Sequence, residues 1–333
     1  MSSKFDLFLE LFPHCNLNCA FCHQRTIAGY VEHYTQTIRL PKEHYVKLAL
    51  QRIKEQGITS HDLNMIGGEL FYDKSQPYVT SMRALIDYLN PSSIACSTNL
   101  IFNVSDNELF NYFLDRGEFI VCASYNPLNR YSSEKQVELF TKNVKSLYLP
   151  MYQRGAILSL EVVLQPEFLK LECALPLLDW VAEVNKVFDK PLIDVIFIVD
   201  YRGYPEDCLS NFNAYLYAFL KRYPTFSNVR NLHLEERVCK NKNGCCYKPN
   251  TKVLSYTNGF RYRGRNAACI DQDADIFDAV NKMERVYGCK SCRYNDVCVN
   301  RCPVGLSKAG LLKDGQPCYY KFLFDHYAEL TKC

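Results

Sequence analysis

The chain has 333 residues, 48% of them hydrophobic, which is enough for one large α/β domain and a smaller appendage. Its formal net charge of +3 gives no electrostatic reason to expect binding to nucleic acid or to a membrane surface. The chain is unusually rich in cysteine, with seventeen, and it shows neither a signal-peptide pattern nor a long apolar run. These features favour metal binding over disulfides and predict a cytoplasmic protein.

Strand-like and helix-like segments alternate along most of the chain. Strands are predicted over residues 5–12, 93–99, 118–126, 156–165 and 192–201, and residues 62–69 are predicted to form a strand followed by a glycine turn. Helices are predicted over residues 44–57, 78–90, 106–117, 134–148, 173–188 and 207–222. This order predicts a parallel sheet wound into an open or closed barrel, with the functional site at the carboxyl ends of its strands.

Three cysteines follow the first predicted strand in the segment PHCNLNCAFCHQ, at Cys15, Cys19 and Cys22. A structural zinc site needs four ligands, so zinc would require His14 or His23 as the fourth. Three thiolates also suit a four-iron cluster that leaves one iron open to a small chelating molecule. The spacing favours the cluster, because no second pair of cysteines lies nearby.

Short polar motifs lie at the ends of three of the later predicted strands. Gly67, Gly68 and Glu69 form a turn at the end of the second segment, Asn99 is the last residue of the third strand, and Ser124 lies near the end of the fourth. Glycines permit a close backbone approach, and a carboxylate accepts hydrogen bonds from an ammonium group. Each motif alone is equally consistent with ordinary turns and strand-end caps. A further motif, VDYRG, ends the sixth strand, and its role is left open.

The Cys-x3-Cys-x-aromatic-Cys pattern, with Phe21 before the third thiol, resembles the radical S-adenosylmethionine (SAM) superfamily. The motifs GGE, STNL and ASYN are similar in order to the family's Gly-Gly-Glu, Thr-Asn-Gly and Ser-Leu-Asp-Gly. Leu100 replaces the family's glycine, and Tyr125 and Asn126 are also substitutions.

This resemblance implies an α/β fold with a partial (β/α)6 barrel over residues 1–225. A [4Fe–4S] cluster on the three N-terminal cysteines would bind SAM at its open iron and generate a 5′-deoxyadenosyl radical. The implied SAM contacts are Gly67, Gly68, Glu69, Asn99 and Ser124.

Ten cysteines crowd between Cys239 and the C-terminus. The segment GCKSCRYNDVCVNRCPVG alone is consistent with a zinc ribbon. The whole array resembles the SPASM extension of radical SAM enzymes, which holds two auxiliary [4Fe–4S] clusters. The resemblance implies a cysteine-rich extension over residues 226–333, with helices and a β-hairpin that turns at Asn258-Gly259.

The two implied ligand sets bring the total to three clusters. One set is Cys239, Cys245, Cys269 and Cys302, with Cys246 as an alternative to Cys245; the other is Cys289, Cys292, Cys298 and Cys318.

The leading functional hypothesis is oxidative modification of a peptide or protein side chain, by crosslinking, thioether formation or dehydrogenation. Two alternatives are the oxidation or rearrangement of a small molecule by the same chemistry, and a non-catalytic iron–sulfur or zinc protein. Sulfatase-maturing relatives carry Asp where this chain has Ile270, so their catalytic base is not expected here. Expected partners are the peptide or protein substrate, with or without a separate recognition protein, and an electron donor such as flavodoxin or ferredoxin. Neither nucleic acid nor a membrane is expected as a partner.

Overall fold

The structure, a computed structural model, describes most of the chain. The described residues are 6–19, 21–22, 40–116, 118–170, 175–188, 192–200, 202–226, 251–261, 276–295, 298 and 303–330.

Seven strands within these residues form one sheet. They are β1 (Asp6–Glu10), β2 (Asp62–Ile66), β3 (Ser93–Thr98), β4 (Phe119–Ser124), β5 (Ile157–Leu164), β6 (Ile193–Val199) and β7 (Thr251–Ser255). Their order across the sheet is β6-β5-β4-β3-β2-β1-β7.

Twelve α-helices lie in the described ranges. They are α1 (Lys42–Glu55), α2 (Gln76–Leu89), α3 (Glu108–Asp115), α4 (Glu134–Gln153), α5 (Pro166–Leu169), α6 (Pro176–Val187), α7 (Glu206–Ser210), α8 (Phe212–Arg222), α9 (Ile276–Tyr287), α10 (Pro303–Lys308), α11 (Tyr319–Asp325) and α12 (Tyr327–Leu330). None of these helices combines the length and the apolar character that crossing a membrane requires.

The strands from β7 through β1, β2 and β3 to β4 pair in parallel. Side chains along β3 and β4 alternate between a buried face, with Cys96 and Val121, and a half-exposed face, with Ser97 and Cys122. Because strand side chains have a period of two residues, the buried face explains the apolar pattern of the sequence. The half-exposed face leaves one side of this part of the sheet accessible.

All six strands predicted from the sequence are present, with ends that differ by a few residues. The helix predicted over 207–222 is divided into α7 and α8. The parallel pairing of the seventh strand with β1 was not predicted. This strand lies where the sequence suggested the first strand of a hairpin, but it pairs in parallel with β1, with Ser255 beside Glu10.

The predicted Asn258-Gly259 turn closes a 3-10 turn after β7, and Gly259 has a φ of 64°. This left-handed conformation favours glycine. The second strand of the predicted hairpin would fall on residues 262–275, outside the described residues.

The chain divides into two compact units. The first comprises Met1–Leu160 and Pro249–Gln272, and the second comprises Glu161–Lys248 and Asp273–Cys333. The predicted division between residues 225 and 226 lies beside the segment 227–250, outside the described residues, and stays a prediction.

Candidate functional site

The three N-terminal cysteines lie on the loop that follows β1, at the carboxyl edge of the sheet. Cys15 is exposed, Cys19 is buried and Cys22 is half-buried. The Cys22 amide donates to the Cys19 carbonyl at 3.2 Å, and the Leu17 amide lies 3.4 Å from the Cys15 sulfur. Although Cys15 is exposed in part to solvent, the protein atoms packed around its sulfur and the nearby Glu69 charge raise the pKa of its thiol to about 11. Because a bound metal favours the thiolate, metal binding would oppose this rise.

The loops after β1 and β2 are in direct contact at Gly68. A Cβ atom on Gly68 would lie 2.0 Å from the His14 carbonyl oxygen. The next residue, Glu69, donates its amide to the same oxygen at 2.7 Å. Close packing therefore requires glycine here, and this packing joins the cysteine loop to the Gly-Gly-Glu turn.

The carboxylate of Glu69 joins the ends of β2 and β3. It is fully buried and accepts hydrogen bonds from the Asn99 amide at 2.6 Å, the Thr98 hydroxyl at 2.8 Å and the Phe71 amide at 3.1 Å. Burial raises the pKa of Glu69, while these bonds and the Lys42 ammonium oppose the rise. Glu69 was predicted to contact SAM; among the described residues, its carboxylate binds the loops that follow β2 and β3.

Lys42, at the start of α1, is a member of the site that the sequence did not reveal. Its buried Nζ donates to the Glu69 carbonyl at 2.6 Å and lies 5.0 Å from the ring centre of Phe12 and 5.4 Å from that of Tyr78. Burial lowers its pKa, and the Glu69 charge opposes that shift. A lysine near a helix start is normally read as solvent-exposed, so no sequence signal marked it.

Asn99, another predicted SAM contact, lies against the cysteine loop. Its Nδ2 is 3.6 Å from the Cys15 sulfur and donates to Asn16 Oδ1 at 2.7 Å. Asn16, which lies inside the cysteine motif, was also not predicted as a site residue.

The loop after β4 reaches the same cysteine segment through Arg130. The Cys19 sulfur lies 3.8 Å from the Arg130 carbonyl oxygen, and the Arg130 guanidinium lies 5.1 Å from the Phe21 ring centre. This cation–π contact joins the loop after β4 to the aromatic residue that precedes the third thiol. Ser124, predicted as a SAM contact, is half-exposed at the end of β4, and its carbonyl accepts from the Tyr131 hydroxyl at 3.3 Å.

An open cavity of about 710 Å³ lies next to Cys15. Its lining carries both charges and an aromatic ring, from Lys42, Lys74, Asp73 and Tyr72. A zwitterionic small molecule fits such a mixed lining, since cations, an anion and an aromatic face are all present.

A second group of thiols lines a partly enclosed cavity in the second unit. They are the four cysteines predicted to bind one auxiliary cluster, Cys289, Cys292, Cys298 and Cys318. Two short turns position the first three: the Cys292 amide donates to the Cys289 carbonyl at 3.2 Å, and the Cys298 amide to the Tyr294 carbonyl at 2.7 Å. Burial raises the pKa of Cys318. The pKa of Cys289 is raised to about 11, chiefly by burial and to a lesser extent by the neighbouring Cys318. The other implied set, Cys239, Cys245, Cys269 and Cys302, lies outside the described residues, as does Cys246.

A charged network lies beside this cavity. Asp325 accepts hydrogen bonds from Arg293, from Tyr294 at 2.8 Å and from Lys321 at 2.7 Å. Although burial alone would raise its pKa, the hydrogen bonds from Lys321, Arg293 and Tyr294 lower it overall. Lys321 and Tyr294 also line the cavity.

Within the described residues, no three His, Cys, Asp or Glu side chains are spaced to hold a single metal ion. A four-iron cluster places each thiolate on a different iron, so its ligands do not have to meet at one point. Cys15, Cys19 and Cys22 on one loop provide the thiolate donors that such a cluster requires. The residues present therefore fit a cluster with three protein ligands.

The predicted VDYRG motif contains an ion pair between a buried Asp200 and an exposed Arg202 at the end of β6, within the second unit. Asp200 is almost fully buried, and its Oδ2 lies 2.5 Å from Arg202 Nη2. The Asp200 amide donates to the Tyr204 hydroxyl at 3.0 Å, which in turn donates to the Leu164 carbonyl at 2.8 Å. These bonds connect the ends of β5 and β6.

No protein-family model and no curated protein sequence matches the chain. Its fold is nevertheless similar to that of solved structures of anSMEcpe, a radical SAM enzyme with a SPASM domain. The protein in those solved structures, anSMEcpe, is an anaerobic sulfatase-maturating enzyme. Hexahistidine-tagged anSMEcpe with bound AdoMet matches with a TM-score of 0.56 and 13% identity, over 99% of this chain and 99% of that chain.

Native anSMEcpe with bound AdoMet and the Cp18Cys peptide matches with a TM-score of 0.55 and 14% identity, over 98% of each chain. The predicted α/β fold with a partial barrel is thereby confirmed. At these identities the likeness concerns the fold alone.

Proposed function

We propose that this protein is a radical SAM enzyme that oxidatively modifies a side chain of a peptide or protein. One observation carries the proposal. The loop with Cys15, Cys19 and Cys22 and the turn with Glu69 are held together at one edge of a parallel sheet, in a fold similar to that of an AdoMet-binding protein.

The residues at this edge have distinct tasks in the proposed enzyme. Cys15, Cys19 and Cys22 ligate a [4Fe–4S] cluster, and the Gly-Gly-Glu turn, supported by Lys42, provides backbone groups beside it. When bound, the cluster and SAM supply a 5′-deoxyadenosyl radical that removes a hydrogen atom from the substrate. The buried Glu69 carboxylate fixes the relative positions of the surrounding loops.

The auxiliary clusters belong to the same proposal. The cavity lined by Cys289, Cys292, Cys298 and Cys318 supports one of them, because it collects four thiols in one place. Clusters of this kind accept an electron from a substrate radical, which would give a net two-electron oxidation. A flavodoxin or ferredoxin would supply the electron that starts each turnover.

Anaerobic reconstitution with iron, sulfide, SAM and a reductant tests the proposal, with 5′-deoxyadenosine measured by chromatography. We expect the wild type to form this product, and the variant with Cys15, Cys19 and Cys22 all changed to Ala to form none. Iron bound in the second unit should remain in that variant. A wild-type protein that is fully loaded with iron and forms no 5′-deoxyadenosine would refute the radical SAM assignment.

A peptide substrate is supported by the similarity to anSMEcpe solved with a bound peptide. Its test is a screen of short cysteine-containing and aromatic peptides, followed by mass spectrometry. A loss of two hydrogens, about 2 Da, from a peptide would support side-chain oxidation. If small molecules stimulate SAM cleavage and no peptide does, the alternative small-molecule reaction is favoured.

A further inference from the structure

Two hydrogen-bond donors converge on the sulfur of Cys15, the first of the three proposed cluster ligands. The Leu17 amide nitrogen lies 3.4 Å from this sulfur, and the side-chain Nδ2 of Asn99 lies 3.6 Å from it. Asn16 Oδ1 is more distant, at 3.9 Å. The sulfur is therefore surrounded chiefly by N–H groups, and one of them comes from β3's end rather than from the cysteine loop.

The orientation of the Asn99 amide is fixed by the backbone of Ile101. The Ile101 amide donates to Asn99 Oδ1 at 2.9 Å, so the NH₂ group of Asn99 must face the other way, toward Cys15. The Ile101 carbonyl accepts from Asn16 Nδ2 at 3.1 Å, which leaves Asn16 Oδ1 to accept from Asn99 at 2.7 Å. Each amide has one backbone partner that settles which end is oxygen.

Asn99 is also held rigidly. Its side chain is buried, with 3% of the residue exposed, and its own amide nitrogen donates to Glu69 Oε2 at 2.6 Å. Thr98, the preceding residue, donates to the other oxygen of the same carboxylate at 2.8 Å. A donor fixed in this way loses little conformational freedom when it bonds a thiolate.

We propose that Asn99 is a positioning residue that donates an N–H···S hydrogen bond to the Cys15 thiolate and thereby sets the reduction potential of the proposed cluster. Asn16 supports it by orienting its amide. This inference rests on the proposed function, and it gives Asn99 a different task from the SAM contact that the sequence predicts.

The direction of the effect follows from charge. Reduction adds one electron to the cluster, and the thiolate sulfurs carry part of the added charge. Hydrogen bonds to these sulfurs stabilise the reduced form more than the oxidised form and raise the reduction potential. Removing the Asn99 donor should therefore make the cluster harder to reduce.

The test is a redox titration of the reconstituted holoenzyme, followed by electron paramagnetic resonance, together with measurement of the SAM dissociation constant. Asn99→Leu removes the donor, and Asn99→Asp keeps the shape and the acceptor for the Ile101 amide. Asn16→Ala removes only the orienting partner and covers the case in which neither Asn99 variant folds. Asn111→Asp is the control for added charge, because Asn111 lies on α3 and bonds the Ser105 carbonyl.

We expect the ratio of reduced to oxidised cluster at a fixed ambient potential to fall about tenfold in Asn99→Leu, which is about 59 mV for a one-electron couple. In Asn99→Asp this ratio should fall at least as far, and in Asn16→Ala it should fall less. In Asn111→Asp the ratio should match that of the wild type. Weaker SAM binding with an unchanged potential in the Asn99 variants would overturn the proposal in favour of a SAM contact. A wild-type protein without a SAM-cleaving cluster would instead refute the proposed function itself.

Discussion

Replacing Gly68 with Ala should separate the cysteine loop from the Gly-Gly-Glu turn. The added Cβ would lie 2.0 Å from the His14 carbonyl oxygen and 2.8 Å from its carbonyl carbon, and both are backbone atoms that no rotamer change can move. The loops must therefore move apart, which breaks the 2.7 Å hydrogen bond from the Glu69 amide to His14.

The cost has two parts. Overpacking a close contact costs about 1–3 kcal/mol. Leaving a buried backbone donor without its partner costs about 1–3 kcal/mol. Together these give about 2–6 kcal/mol at this one contact. Gly57→Ala is the matched control, because a Cβ on Gly57 would meet nothing within 4 Å and its φ of +58° alone sets the cost, about 1–2 kcal/mol.

Hydrogen exchange followed by mass spectrometry is the appropriate assay, because it reports local opening. For a peptide that contains the Glu69 amide, we expect exchange to be at least about thirtyfold faster in Gly68→Ala than in the wild type. The control should leave that peptide unchanged. If Gly68→Ala exchanges as slowly as the control, the two loops do not approach each other as described, and the site geometry built on this contact is wrong.

Three further predictions concern other parts of the molecule. Asn143→Ala on α4 removes two 2.8 Å hydrogen bonds to carbonyls of the loop after β3. It should lower the free energy of unfolding, measured in urea, by about 2–4 kcal/mol. Ser146→Ala on the same helix is the control and should lower it by less than about 0.5 kcal/mol. Because the pKa of Asp325 is lowered in the folded protein, its ion pairs stabilise the fold above its unfolded pKa, near 3.8, and this stability is lost as pH falls through the lower folded pKa. Asp325→Asn should therefore lower the unfolding midpoint at pH 7, and the difference from wild type should shrink below about pH 4. Changing Cys289 and Cys292 together to Ala should reduce the iron content of the reconstituted protein by about four atoms, measured by inductively coupled plasma mass spectrometry, without abolishing SAM cleavage.

The alternation of the first six strands with helices could be predicted because each segment carries its own periodicity. The pairing of the seventh strand with β1 could not be predicted, because it depends on a contact between residues far apart in the chain, such as Ser255 with Glu10. The Asn258-Gly259 pair is a strong local signal for a hairpin, so the sequence predicted a hairpin here. The parallel pairing of β7 with β1 has no local sequence pattern.

Leu100 has an unusual backbone conformation whose position could be noticed in the sequence, but the contacts that stabilise it could not. It stands where the resembling family has glycine, and its φ of 51° lies in the left-handed region that glycine favours. The conformation is maintained by complete burial of the side chain and by the bond from Asn143 to the Leu100 carbonyl. The helix that supplies this bond lies about forty residues away in the chain, so the compensation is visible only in three dimensions.

The candidate cysteine ligands could be proposed from the sequence because the spacing of thiols along the chain is a local pattern. The supporting residues Lys42 and Asn16 were not, because their roles arise from side-chain contacts made across loops. Glu69 was predicted as a SAM contact from its motif, whereas its observed bonds to the ends of β2 and β3 depend on the parallel register of those strands.

The most direct test of the central claim is electron–nuclear double resonance on the reduced, reconstituted protein with SAM that carries ¹⁵N in its amino group. A cluster held by Cys15, Cys19 and Cys22 with one open iron should show a ¹⁵N coupling, and the triple Ala variant should show none. A wild-type protein that is fully loaded with iron, reduced and saturated with SAM, yet gives no ¹⁵N coupling, would contradict the account.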